Sequence, residues 1–320
     1  MRAITKRIAI TGSTGFAGKR LVQALKADPG SVRALVRDKE RARGFGSEFA
    51  KMELIEGDLN NQPALAQLCD GADVVVHLAG AIAARNEADF MQVNRDGTAN
   101  VVAAARNAGV HRFIHVSSLA AREPQLSGYT ASKAAGEVAL QTSAGEKMTW
   151  VIVRPPAVYG PGDEATLPLL KALLQRYAIL PGRADARFSM IYVDDLADAL
   201  MVLTDDARLD GSIVEPDDGA ENGYSWPELV KTASQMTGHP AKPVFLPQFV
   251  LNLVASGIGA VSRISGAVPM VTKGKVRELY HLDWVCRARG LQEQGFWQPK
   301  VEFAGGLKKT IGWYKEHGWL

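Results

Sequence analysis

A tyrosine and a lysine stand one helical turn apart in Tyr129-Thr-Ala-Ser-Lys133, in a stretch that runs on through Gly136-Glu-Val-Ala-Leu140. Spacing i, i+4 puts both side chains on one helix face. A phenol titrates near pH 10 in water, and an ammonium beside it stabilises the phenolate and lowers that value. Such a pair can donate or take a proton near neutrality. Ser117 and Ser118 follow the apolar run Phe113-Ile-His-Val116, and either hydroxyl could polarise a carbonyl held beside the pair. The chemistry implied is proton transfer at the oxygen of a carbonyl/alcohol pair. A Tyr-x-x-x-Lys pair alone is common on amphipathic helices. It gains specificity from the serine-ended strand before it and from a glycine-rich turn at the start of the chain.

That turn lies in Arg7-Ile-Ala-Ile-Thr-Gly12-Ser-Thr-Gly15-Phe-Ala-Gly18. Ile8, Ala9 and Ile10 read as a short central parallel strand, and a helix begins after the glycines. Gly12 allows the tight turn, Gly15 lets a phosphate approach the backbone, and Gly18 lets helix and strand pack closely. Free N–H groups at the helix start favour a pyrophosphate. The spacing is G-x-x-G-x-x-G, not the commoner G-x-G-x-x-G.

Elements that position these residues follow in alternation. A helix is predicted from Lys19 to Ala27 and a second strand from Val32 to Val36, with Arg37-Asp38-Lys39-Glu40-Arg41 after it. An arginine at this strand end suits a ribose 2′-phosphate, so Arg37 points to NADP, with NAD as the alternative. Arg37 as part of a solvated basic helix start is the competing interpretation. Met52 to Ile55 is a third strand closed by Gly57-Asp58. Asp58 either accepts from an adenine amino group or caps the turn. Asp73-Val-Val-Val-His77-Leu-Ala79-Gly80 is a fourth strand whose small terminal residues leave room for a cofactor. Helices are expected from Pro63 to Cys69 and through Ala108, the latter opened by Val93-Asn94, and a fifth strand at Phe113–Val116. This alternation is α/β, a Rossmann-type doubly wound parallel sheet with its ligand at the carboxyl ends of the strands.

Composition sets outer limits. The 320 residues are 47% hydrophobic and 22% charged, and 37 Lys and Arg against 34 Asp and Glu leave a net charge of +3. This balance makes no case for nucleic acid. Cys69 and Cys286 lack metal-ligand spacing, so no metal site is expected, and they suit a reduced, cytoplasmic protein. The apolar run after Arg7 is too short for a signal peptide, and no stretch reads as a membrane span.

With these motifs in view, the chain resembles the short-chain dehydrogenase/reductases, in particular their extended branch, which takes in the NAD-dependent epimerases and dehydratases. The matches are Thr11-Gly-Ser-Thr-Gly-Phe-Ala-Gly18, Gly57-Asp58, His77-Leu-Ala-Gly80, Val116-Ser-Ser118 and Tyr129-Thr-Ala-Ser-Lys133. Arg154-Pro-Pro-Ala-Val-Tyr-Gly-Pro-Gly-Asp163 and Tyr192-Val-Asp-Asp-Leu-Ala197 continue the series. The resemblance implies Ser118, Tyr129 and Lys133 as the catalytic set, Ser118 because the second serine of the pair usually acts in this branch. It implies cofactor contacts from Gly12, Thr14, Gly15, Phe16, Gly18, Arg37, Asp58, Leu59, Ala79, Gly80, Tyr129 and Lys133, with Pro155 and Val158 beside the nicotinamide. It also implies a homodimer through the helices that begin at Gly97 and Tyr129.

Departures narrow the substrate. Ala157 stands where nucleotide-sugar epimerases usually have asparagine, and Leu119-Ala120 where 4,6-dehydratases have Asp-Glu. Ala34-Leu-Val-Arg-Asp38 and the closing Gly306–Tyr314 segment look instead like dihydroflavonol-reductase and hydroxysteroid-dehydrogenase relatives. A hydride transfer between NADP(H) and a carbonyl/alcohol substrate with an apolar part is expected. A nucleotide-sugar epimerase and a cofactor-bound sensor or assembly factor are the alternatives.

Residues 1–160 are expected to form the cofactor domain, 186–216 to return to its sheet, and 161–320 to supply mainly a smaller C-terminal substrate lobe. In that lobe Thr166–Tyr177 reads as a helix, Phe188–Val193 as a strand, Asp194–Leu203 as a helix and Gly211–Val214 as the last strand. The greasy stretch 244–270 reads as lobe core or as the wall of an apolar pocket, in preference to an interfacial membrane helix.

Overall fold

The computed structural model describes residues 6–25, 31–205 and 208–320, and their side chains except those of 263 and 264. The first half alternates strand and helix. In chain order come β1 (Ile8–Thr11), α1 (Phe16–Leu25), β2 (Val32–Val36), β3 (Glu53–Glu56), α2 (Gln62–Cys69), β4 (Val74–His77) and α3 (Glu87–Met91). They are followed by α4 (Gly97–Asn107), β5 (Arg112–Val116), α5 (Gly128–Ser143), β6 (Thr149–Val153), α6 (Val193–Asp205) and β7 (Ser212–Val214). The seven strands form one parallel sheet in the order β7-β6-β5-β4-β1-β2-β3. The first helix starts earlier than its apolar pattern suggested, at Phe16, and the expected residues beyond Leu25 lie outside the described ones.

Strand alternation assigns each apolar side chain to a layer. Ile8 and Ile10 face a core completed by Leu21 and Val22 of α1 and Leu196, Leu200 and Leu203 of α6. Ala9, between them, faces the other layer, with Leu65 of α2, Val101 and Val102 of α4 and Leu140 of α5. Burial on both faces explains why β1, β4 and β5 read as continuous apolar runs rather than alternating ones.

All seven strands run the same way, so the turns after β1, β2, β3, β4, β5 and β6 emerge at one end of the sheet. Those turns carry Gly12, Arg37, Asp58, Ala79, Ser118 and Pro155. The alternation read from the sequence thus collects residues more than a hundred positions apart.

The rest of the chain has its own core of Tyr159, Leu170, Leu173, Leu180, Trp226, Leu229, Phe303, Leu307 and Tyr314. Two expectations need correction here. The helix at Thr166–Tyr177 is shorter, Leu167–Leu173, and Tyr177–Leu180 is a strand pairing in parallel with Lys242–Phe245. Its leucines carry a helical pattern, but the β-compatible Tyr-Ala-Ile-Leu run found a partner strand distant in sequence.

The stretch 244–270 holds α7 (Gln248–Ser265), which packs along α8 (Lys273–Tyr280). Phe245, ahead of the helix, packs against the lobe core, but α7 itself lies mostly outside it: Phe249 is 73% exposed and Leu253 74%, while Ala255 is buried. The lobe core is already filled by aromatic and leucine side chains from other elements, which leaves α7 on the outside. Only its trailing residues Pro269 and Met270 wall a cavity. Among the described residues no helix is long and apolar enough to cross a membrane, and both cysteines are buried and unpaired.

Candidate active site

The glycine turn after β1 is shaped by close backbone approach. Gly12 has φ +76°, and a Cβ there would lie 2.5 Å from the Ala79 nitrogen. A Cβ at Gly18 would lie 2.1 Å from the Gly12 carbonyl oxygen. These two positions therefore admit no side chain, whatever the ligand. Gly15 differs: a Cβ there would meet only the Gly12 oxygen, at 3.3 Å, and the residue is exposed. Its missing side chain leaves space above the start of α1, flanked by half-buried Thr14 and Phe16. The neighbouring Ser13 hydroxyl is buried with no hydrogen-bond partner among the described residues. An open cradle at a helix start, with an unpaired hydroxyl beside it, suits the phosphates of a dinucleotide.

Small residues after β4 extend the cradle. At Gly80 a Cβ would lie 3.0 Å from Asn94 Oδ1 and 3.5 Å from Lys133 Nζ. Asn94 sits in a single π-helical turn, Gln92–Asp96, between α3 and α4. Its side chain accepts from Ala81 N (2.7 Å) and donates to Ala81 O (3.0 Å) and Ser132 Oγ (2.8 Å). Asn94 thus pins the loop after β4 to α5. The sequence shows the asparagine but not the π turn that aims it inward.

Arg37 is exposed at the end of β2 and makes no hydrogen bond or ion pair with a described residue. Asp58 is exposed and accepts from Asn60 N at 2.8 Å, which is the turn-capping role. The Leu59 carbonyl accepts from Asn100 Nδ2 of α4 at 2.9 Å. Pro155 is buried and its carbonyl accepts from Leu119 N at 2.9 Å, next to Ser118; Val158 packs against the α1-side core.

The two serines after β5 separate cleanly. Ser117 is buried and donates to Glu137, whose carboxylate also takes two hydrogen bonds from Arg154, at 2.9 and 2.6 Å. That hydroxyl is committed to the packing of α5 on the sheet. Ser118 caps the short 3₁₀ turn Leu119–Arg122 and is hydrogen-bonded to Tyr129. Tyr129 enters α5 behind a capping box in which Ser127 and Thr130 bond each other's backbone N–H groups.

The charge expected beside Tyr129 is elsewhere. Burial raises the Tyr129 phenol above its ordinary 10.0, outweighing its bond to Ser118 and the nearby charge of Lys275. Lys133 instead donates to the Val116 carbonyl at 2.9 Å, and burial lowers its pKa to about 8. Residues one turn apart share a helix face, but the lysine tip is drawn down to the Val116 carbonyl at the end of β5. In this state the phenol is a protonated donor, not a near-neutral acid–base. The cation facing its ring is Lys275 of α8, 5.8 Å from the centroid and paired with Glu278. Nothing in the local sequence marks that lysine, since it comes from the far lobe.

Tyr129 lies on the wall of a cavity of about 310 Å³. Ile82, Phe90, Pro269 and Met270 supply apolar wall; Arg85, Lys273, Lys275 and Glu278 supply charge. The Phe90 ring lies 6.0 Å from that of Tyr129. Among the described residues, no cluster of three or more His, Cys, Asp or Glu is arranged to hold a metal ion.

Residues 8–214 match the model of the NAD dependent epimerase/dehydratase family. The chain belongs to this family. It is an NAD(P)-dependent oxidoreductase of the extended short-chain dehydrogenase/reductase type, as the resemblance implied. A ceramide reductase of Caulobacter vibrioides is 39% identical over 314 residues, covering 98% of this chain and 96% of that protein. A 3β-hydroxysteroid-dehydrogenase/decarboxylase of Arabidopsis thaliana is 24% identical over 94% of this chain and 61% of its own length. The family fold extends to solved structures such as MoeE5 in complex with UDP-glucuronic acid and NAD. That structure has a TM-score of 0.71 at 20% identity, covering 97% of this chain and 99% of that one.

Proposed function

We propose that the protein reduces a ketone on a long-chain, ceramide-like lipid, using NADPH and a catalytic set of Ser118, Tyr129 and Lys133. One observation carries this: a protonated Tyr129, hydrogen-bonded to Ser118, on the wall of a partly apolar cavity. The similarity to a ceramide reductase along the whole chain supports the substrate class. The dinucleotide, when bound, supplies the hydride that reaches the carbonyl carbon.

The chain's own residues handle the oxygen. Tyr129 gives its proton to the carbonyl oxygen as charge builds there, and its raised pKa keeps that proton available at neutral pH. Ser118 donates to the same oxygen and stabilises the developing charge. Lys133, beside Gly80, would hold the nicotinamide ribose with its ammonium donors. The cradle at Gly12, Thr14, Gly15, Phe16 and Gly18, with Ala79, would hold the pyrophosphate. Arg37 would meet the 2′-phosphate, Asp58 and Leu59 the adenine side, and Pro155 and Val158 the nicotinamide side. The polypeptide from 1 to 160 with 186–216 would serve the cofactor, and 161–320 mainly the substrate.

The test separates two variants. Tyr129→Phe removes only the phenol oxygen and should lower turnover by about 10²–10⁴-fold with NADPH binding nearly unchanged. Lys133→Met should weaken NADPH binding as well as turnover. A Tyr129→Phe protein with full activity on a ketone-bearing ceramide would end the mechanism.

A further inference from the structure

Helix α7 turns its apolar side to solvent. Phe249 (73% exposed), Leu253 (74%), Val254 (47%) and Val261 (66%) all lie outside the lobe core. At about 100° per residue these positions fall within an arc of roughly 140°, one continuous face. The chain then leaves α7 through Gly266 and reaches exposed Val268 and Met270, and Met270 lines the Tyr129 cavity together with exposed Ile82. The apolar face is thus continuous along the chain with the mouth of the candidate active site.

The chain segment that carries this face has charge of one sign. Between Glu228 and Glu278 the chain has no Asp or Glu, yet it carries Lys231, Lys242, Arg263, Lys273, Lys275 and Arg277. Lys242, Lys273 and Arg277 are exposed. An apolar strip in a segment whose only charges are basic, with Glu87 and Glu278 confined to the cavity wall, matches an anionic lipid surface, where buried apolar area and attraction to headgroups add. A second copy of the chain fits less well, because an isologous contact on this face would bring the same cations together.

We propose that α7 docks the protein onto an anionic bilayer, lying in the headgroup boundary with the cavity mouth beside it. The helix rests in the interface rather than spanning it, consistent with the absence of any described helix able to cross a membrane. Docking stands on exposure and charge, and its test is separate from that of the lipid substrate.

The experiment is flotation of the full chain with phosphatidylcholine vesicles, with and without about one-third phosphatidylglycerol. Wild type should float with the anionic vesicles and be released by salt. The double variant Phe249→Ser/Leu253→Ser should bind roughly tenfold more weakly or worse. Val261→Asp, on the same face, should lose binding in the same way, and Lys242→Gln should weaken it about fivefold. NADPH affinity and far-UV circular dichroism of these variants should match wild type, since the side chains lie outside the cavity. Wild type that fails to float, or variants that float as well as wild type, would overturn the proposal. So would a fall from dimer to monomer mass in the double variant with vesicle binding intact, which would assign the face to a second copy. Turnover of a water-soluble short-chain ketone without vesicles reads the substrate assignment independently.

Discussion

At the scale of single residues, the site departs most from its sequence pattern in where charge sits. Arg37 stands exposed at the end of β2 with no ion-pair partner among the described residues, placed to meet a phosphate. Arg37→Ala should weaken NADPH binding by roughly tenfold or more, the worth of a charge-assisted contact, and leave NADH binding nearly unchanged. Titrating both cofactors against both proteins checks this; equal affinities in the wild type would remove the preference. Two histidines under the cradle predict a pH dependence of stability. His77 bonds Thr11 (2.6 Å) and Thr98 (3.0 Å) and stacks on His115, whose ring nitrogens have no partner among the described residues. Burial lowers His77 to about 3 and His115 well below its ordinary value. The unfolded chain protonates both near 6.5, so it binds more protons than the native state below that pH. Stability is therefore full above about pH 6.5 and falls toward pH 3, by up to about 1.4 kcal/mol per pH unit for each histidine. Urea unfolding of His115→Phe should show a shallower acid slope than wild type; an unchanged slope would place the loss elsewhere.

At the scale of elements, the start of α5 links the two halves of the site. Ser127 caps α5, and its hydroxyl also donates to Glu278 of α8 at 2.6 Å. One small side chain thus ties the helix bearing Tyr129 to the helix bearing Lys275. Ser127→Ala should cost about 1 kcal/mol from the lost cap. It should also free Glu278, which is otherwise paired with Lys275, and raise KM more than it lowers kcat. Urea denaturation with steady-state kinetics checks both; a pure stability loss with unchanged KM would make Ser127 a cap and nothing more.

At the scale of the whole molecule, α4 and α5 pack on each other and leave an outer surface of small side chains. Ala99 and Ala103 on α4 and Ala135 and Ala139 on α5 are half-buried, and Val138 is 55% exposed. Small residues let helices approach closely across a two-fold axis, so a homodimer through this face is the expected assembly. Val138→Arg should convert the dimer mass to a monomer mass in light scattering while the fold is kept. A wild type already monomeric at working concentrations would count against it.

The doubly wound sheet was legible because its strands are short apolar runs, buried on both faces, separated by helix-length segments. The glycine turn was legible for a related reason: Gly12 and Gly18 answer contacts with backbone, which no other residue type could satisfy. Ser118, Tyr129 and Lys133 stood out through spacing and resemblance. The direction of Tyr129's pKa did not, because it depends on burial and on where the Lys133 tip goes, and both are tertiary facts. The strand at Tyr177–Leu180 needed its partner at Lys242–Phe245, more than sixty residues away. Lys275 and Glu278 reach the site from the far lobe, and α7 faces outward because other side chains had already filled the lobe core. Local pattern determines which segments bury and which turn; competition for interior space decides which apolar helix is left at the surface.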